Sequence, residues 1–134
     1  MPYLHILVFP VGPMVPNSLA HWALYLPPED GGPGPGRMYT VQKQALFSNT
    51  TAYSTGPYNL QPGVLAVPLN HICISHSQMD YICQTLSNDP NRPGFNLVTQ
   101  NCHDWVVDVV RKVEEYLRLP QRTNVRYLLS LYGY

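Results

Sequence analysis

Up to about residue 70 the apolar positions fall into short runs cut by proline and glycine, and after it they recur at helical spacing. Tyr3–Phe9 is rich in β-formers and ends at Pro10, so it predicts a first strand. Pro10, Gly12, Pro13 and Pro16 then forbid regular structure until about Ser18. Ala20–Leu26 is an apolar run of strand length closed by Pro27 and Pro28, the pattern of a central strand covered on both faces. Glu29–Gly36 can only connect, and Arg37–Lys43 reads as the strand that returns antiparallel to it. Ser48–Pro62 is polar, bears tyrosines and carries Gly56-Pro57, which predicts a long loop or an irregular extension of the sheet. Gly63–Leu69 is a further strand, and Pro68 assigns it to an edge or an end. Ser75 and Gln78 have the spacing of a capping box, and Met79, Ile82, Cys83 and Leu86 form the buried stripe of a first helix that stops at Asn88-Asp89-Pro90. Asn91–Gly94 reads as a loop and Phe95–Val98 as an extended lead into a second helix, which begins near Cys102 with Asn101 as its N-cap. Trp105, Val106, Val109, Val110, Val113 and Leu117 give that helix its apolar face, Lys112, Glu115 and Arg118 its wet one, and Pro120 ends it. A final helix from about Asn124 to Leu131 is expected to cover the core with Val125, Leu128, Leu129 and Tyr132.

A length of 134 residues suits one domain, so residues 1–134 are expected to form a single α+β unit. Eight basic and eight acidic side chains cancel, leaving no broad basic field for a nucleic acid or an anionic membrane; neither is expected as a partner. The first residues lack the positive leader and cleavage site of a signal peptide, and Val125–Tyr134 is too short and interrupted to anchor in a membrane. The expected location is cytoplasmic. Cys73, Cys83 and Cys102, odd in number and spaced by ten and nineteen, fit neither a disulfide framework nor a paired zinc motif. No metal and no cofactor are expected.

Candidate chemistry centres on Cys102. A thiol in the first turn of a helix feels unsatisfied N–H groups and the positive end of the dipole, which favour thiolate and lower its pKa. It needs a base, and His21, at the start of the apolar strand, is the histidine a rigid scaffold holds best. The plain alternative makes Cys102 a small buried residue and His21 a satisfied core imidazole. His103 and Asp104 follow on the same helix, turned by roughly 100° and 200° from Cys102 and so expected to point away. His71 and His76 flank Cys73 at spacings that fit no usual zinc pattern, and capping or strand-end exposure explains them better. Cys83 belongs to the core stripe, and Tyr53 and Tyr58 are placed to line a cleft.

His21-Trp22-Ala23-Leu24-Tyr25-Leu26, followed by a glycine-rich turn and, much later, Asn101-Cys102-His103-Asp104-Trp105-Val106, resembles the circularly permuted branch of the papain-like cysteine hydrolases. In the lecithin:retinol acyltransferase-like family a strand begins with His-Trp-Ala or a close variant, and the nucleophile lies in Asn-Cys-(acidic or polar)-His-Phe at a helix start. The PPPDE peptidases and the NlpC-type amidases share that core, and Phe95–Cys102 is also similar to the lead-in of the PPPDE cysteine. The resemblance spans roughly residues 20–110 and implies an antiparallel sheet packed on the helix that carries the nucleophile. It implies Cys102 as nucleophile, His21 as general base and the Cys102 N–H as part of an oxyanion hole. Where the family has a second His on the returning strand, this chain has Met38-Tyr39-Thr40-Val41-Gln42, so Thr40 or Gln42 is expected to hold the imidazole. Trp22, Tyr39, Asn101, Tyr53 and Tyr58 are the expected substrate-binding residues. The implied activity is a cysteine-dependent acyl hydrolase or acyltransferase acting on an amide, isopeptide or thioester of a small molecule or peptide. The alternatives are a catalytically impaired domain that binds a peptide or small ligand, and a small-metabolite pathway enzyme using the same cleft.

Overall fold

Among the described residues five strands pair into one antiparallel sheet, and three α-helices follow. The computed structural model describes residues 1–43, 51–87 and 101–134. The strands are β1 (Tyr3–Phe9), β2 (His21–Leu26), β3 (Gly36–Lys43), β4 (Thr51–Tyr58) and β5 (Leu65–Cys73), in the order β4-β3-β2-β1-β5. The helices are α1 (His76–Ser87), α2 (Asn101–Tyr116) and α3 (Val125–Ser130). The α+β class with an antiparallel sheet is as the sequence implied. The loop read at 91–94 and the extended lead at 95–98 lie outside the described residues.

Side-chain alternation divides the sheet into two unlike faces. Leu4, Ile6 and Val8 of β1, Trp22, Leu24 and Leu26 of β2, Tyr39 and Val41 of β3 and Val67 and Leu69 of β5 form one buried cluster with the helices. Met79, Ile82, Cys83 and Leu86 of α1 and Trp105, Val106, Val109, Val110 and Val113 of α2 meet them, as their spacing predicts. On the other face Leu7, Ala23 and Tyr25 are buried under Phe9, Met38, Tyr58, Val64 and Ala66. Tyr132, expected over the core, is 48% exposed, because α3 ends at Ser130 and in the turn that follows it is Tyr134 that packs on the core.

Local chemistry sets the boundaries. Gly36 opens β3 where no side chain fits: a Cβ would stand 2.3 Å from the Leu26 carbonyl oxygen and 2.5 Å from the Tyr25 hydroxyl. The capping box at α1 is formed, with the Gln78 N–H donating to Ser75 Oγ (3.2 Å) and the Ser75 N–H to Gln78 Oε1 (3.3 Å). The segment at 48–62 contains a full strand, β4, paired from Gly36↔Tyr58 to Lys43↔Thr51. Its Gly56-Pro57 step is tolerated because β4 is an edge.

One charged residue is buried where periodicity alone gives no warning. Glu114, 1% exposed, accepts at Oε2 from the Thr123 N–H (2.9 Å), the Thr123 hydroxyl (2.8 Å) and His71 Nε2 (2.8 Å). His71 reaches it because β5 bulges: Leu4 faces Leu69 but Tyr3 faces Cys73, which leaves residues 70–72 outside the β1 register. His76 goes elsewhere, its Nε2 donating to the Pro27 carbonyl at 2.7 Å, so the His/Cys string is split between two structural tasks. Glu114 thereby ties α2, the turn before α3 and β5 together. Removing one partner of such a buried cluster leaves donors unpaired, so Glu114→Ala is expected to destabilise the fold by about 3 kcal/mol. A urea midpoint that does not move shows the cluster to be dispensable.

Candidate active site

Cys102 lies in the first turn of α2 and is half-buried. The backbone N–H dipoles of Trp22, His103 and Cys102 itself act on its sulfur. They favour thiolate, as the helix-terminus argument requires, yet burial outweighs them and pushes the thiol above its ordinary value. The expected lowered pKa is therefore reversed in sign. β2 pairs with β3 only over Leu24–Leu26, so β3 does not pair with the first residues of β2.

His21 occupies that same end of β2. Its Nε2 stands 2.8 Å from Thr40 Oγ1, and Thr40 is 1% exposed. Thr40 Oγ1 donates toward the Val41 carbonyl at 3.4 Å, which leaves its lone pair to accept from His21. With the hydroxyl proton turned to Val41, the imidazole proton lies on Nε2 and Nδ1 is the basic nitrogen. Burial, and secondarily the neighbouring His103, hold His21 below the usual imidazole range, so the ring is neutral near pH 7. Its face is that of Ala23, and Phe9 lies 5.6 Å away between ring centroids. That face is opposite the one the helices cover. Among the described residues no hydrogen bond joins the sulfur to the imidazole.

His103 does not point away. It is 3% exposed, stacks on Trp22 with centroids 3.7 Å apart, and donates from Nε2 to the Ala20 carbonyl at 2.6 Å. Burial lowers its pKa against the opposing pull of that carbonyl. Asp104 instead pairs with Arg126, whose guanidinium lies 6.0 Å from the Trp22 ring. Sequence reasoning missed His103 because helical pitch says nothing about which strand lies beside the first turn.

The expected substrate-binding residues do not converge. Trp22 is 2% exposed in the core, and its buried indole N–H has no hydrogen-bond partner among the described residues. Tyr39 donates to the His76 carbonyl (3.2 Å) and Tyr53 to Asp80 Oδ1 (2.6 Å), with both hydroxyls pushed far up by burial. Both lie on the helix-covered face, whereas Tyr58 sits on the opposite face against Phe9 and Tyr25. The side chains of Gln42 and Asn101 lie outside the described residues. A cavity of about 590 Å³ between β5 and α3, and one of about 400 Å³ between α1 and α2, are lined by neither Cys102 nor His21. Among the described residues no His, Cys, Asp or Glu cluster is arranged to hold a metal, and no helix is long and apolar enough to cross a membrane.

No family model, no curated protein and no solved structure matches the chain.

The lowered imidazoles carry a stability consequence. His21 and His103 refuse protons that the unfolded chain accepts below about pH 6.5, so stability is fully present above that value and falls as pH drops through it. Each adds a slope of up to about 1.4 kcal/mol per pH unit. Urea midpoints measured between pH 7.5 and 5.5 are expected to fall, and less steeply in His21→Ala. A flat profile contradicts the burial of both rings as neutral species.

Proposed function

We propose that the protein is a cysteine-dependent acyl hydrolase or acyltransferase in which Cys102 and His21 react as a neutral thiol and imidazole. The observation that carries this reading is the docking of the first turn of α2 on the start of β2, where His103 donates to the Ala20 carbonyl at 2.6 Å and stacks on Trp22. Cys102 is the neighbour of His103, and His21, held by Thr40, lies between Ala20 and Trp22. The antiparallel sheet packed on a cysteine-bearing helix agrees with the permuted papain-like architecture that the two motifs resemble, and the free state of all three cysteines agrees with a cytoplasmic location.

The chemistry runs in balanced steps. His21 Nδ1 takes the thiol proton as sulfur attacks the carbonyl carbon, and an S–C bond forms while the carbonyl pair moves to oxygen. The Cys102 N–H faces the developing oxyanion. The pair returns, the bond to the leaving amine, thiol or alcohol breaks, and the imidazolium gives that group its proton. Water or an amine then attacks the thioester with His21 again as base, which restores the thiol. The acyl donor is an amide, isopeptide or thioester of a small molecule or peptide, and no step calls for a cofactor.

A second reading has its own support: Thr40 is a neutral acceptor and cannot stabilise imidazolium as a carboxylate does, while burial disfavours both charged partners. On that reading the strand end binds a peptide or small ligand without turnover. Incubation with p-nitrophenyl acetate, followed by intact and peptide mass spectrometry, separates the two. The enzyme reading expects an acetyl group on Cys102, formed at least about tenfold more slowly in His21→Ala. Thr40→Val is expected to slow it about fivefold, the rate equivalent of one lost hydrogen bond of about 1 kcal/mol. Absence of the adduct, or equal rates in wild type and His21→Ala, overturns the enzyme reading.

A further inference from the structure

Burying an imidazole in an apolar contact is costly unless its polar atoms are used, and the way His103 uses them is specific. Ala20 is fully buried and precedes β2, its own N–H donating to the Asn17 carbonyl at 3.0 Å. Its carbonyl accepts from His103 Nε2 at 2.6 Å. The same ring lies flat on Trp22, at 3.7 Å and 15°. Ala20 and Trp22 are the two neighbours of His21, and His103 is the neighbour of Cys102. One side chain therefore touches the chain on both sides of the candidate base from the position next to the candidate nucleophile.

We propose that His103 is a positioning residue that sets the Cys102 thiol against His21 by clamping the first turn of α2 to Ala20 and Trp22. The inference rests on the reading of Cys102 and His21 as the reacting pair. His103 is not itself the base at Nε2, because that nitrogen carries the proton given to the carbonyl and the ring is shut from solvent. A phenylalanine would supply the stacking surface but not the bond, and a glutamine the bond but not the full ring, so the two contributions separate by substitution. Displacements of about 1 Å between reacting groups reduce rates by about a hundredfold. Losing the bond thus removes the cooperation of thiol and imidazole before it removes the fold.

The test is the rate of Cys102 acetylation by p-nitrophenyl acetate, with and without His21→Ala, in wild type, His103→Phe and His103→Gln, each checked for folding by circular dichroism. In wild type, His21→Ala is expected to slow the reaction at least about tenfold. In His103→Phe that factor is expected to fall below about threefold, since the pair no longer acts together, and His103→Gln is expected to recover most of it. A merely structural role predicts altered melting with the His21 factor unchanged. The proposal is overturned if folded His103→Phe keeps the full factor, or if folded His103→Gln fails to recover it. If His103→Phe does not fold, His103→Gln against His103→Leu makes the same comparison of donor with no donor. A factor of one in wild type removes the reacting pair itself, a result distinct from a wild-type factor that His103 leaves untouched.

Discussion

Trp22 to Leu26 are five consecutive side chains withdrawn from water, and a strand can be dry on both faces only when each face is covered. The helices cover the Trp22, Leu24 and Leu26 side, and the sheet's own aromatic and apolar side chains gather over Ala23 and Tyr25. The rest of the architecture follows from that demand: α2 must lie along β2, and β1 and β3 must flank it. His21 is the one residue of the strand left partly in water. Where burial of β2 stops, the first turn of α2 docks, with His103 against Ala20 and Trp22.

Burial also decides the charge state of that strand end. The helix terminus and three backbone N–H groups favour a thiolate at Cys102, but removing the sulfur from water acts the other way and wins. The same penalty holds His21 and His103 neutral, and Thr40 adds a hydrogen bond but no charge. The resting pair is therefore thiol and imidazole. On the proposed reading a thiolate has to be made during attack, which calls for general-base chemistry rather than a preformed ion pair.

Most elements were legible because their signals are local. The apolar runs of β1, β2 and β3, the Ser75–Gln78 box and the stripes of α1 and α2 each state their structure within a dozen residues. β4 was not read as a full strand because Gly56-Pro57 belongs equally to loops and to edge strands, and only pairing with β3 distinguishes them. Thr40 was legible only as one of two alternatives, with Gln42, and only through the resemblance, because nothing local says which side chain of the returning strand faces His21. Glu114 was not, because its donors come from Thr123 and from a bulged His71 far away in the chain. The sign of the Cys102 shift was misjudged for the same reason: the dipole is a local property and burial a tertiary one.

The central claim is that His21 is a neutral base presenting Nδ1, with its Nε2 proton held by Thr40. A long-range ¹H–¹⁵N correlation spectrum of histidine-labelled protein at pH 7 tests it most directly. The account predicts His21 with a protonated Nε2 and an unprotonated Nδ1, and loss of that single tautomer in Thr40→Val. An imidazolium at pH 7, or the opposite tautomer, contradicts it.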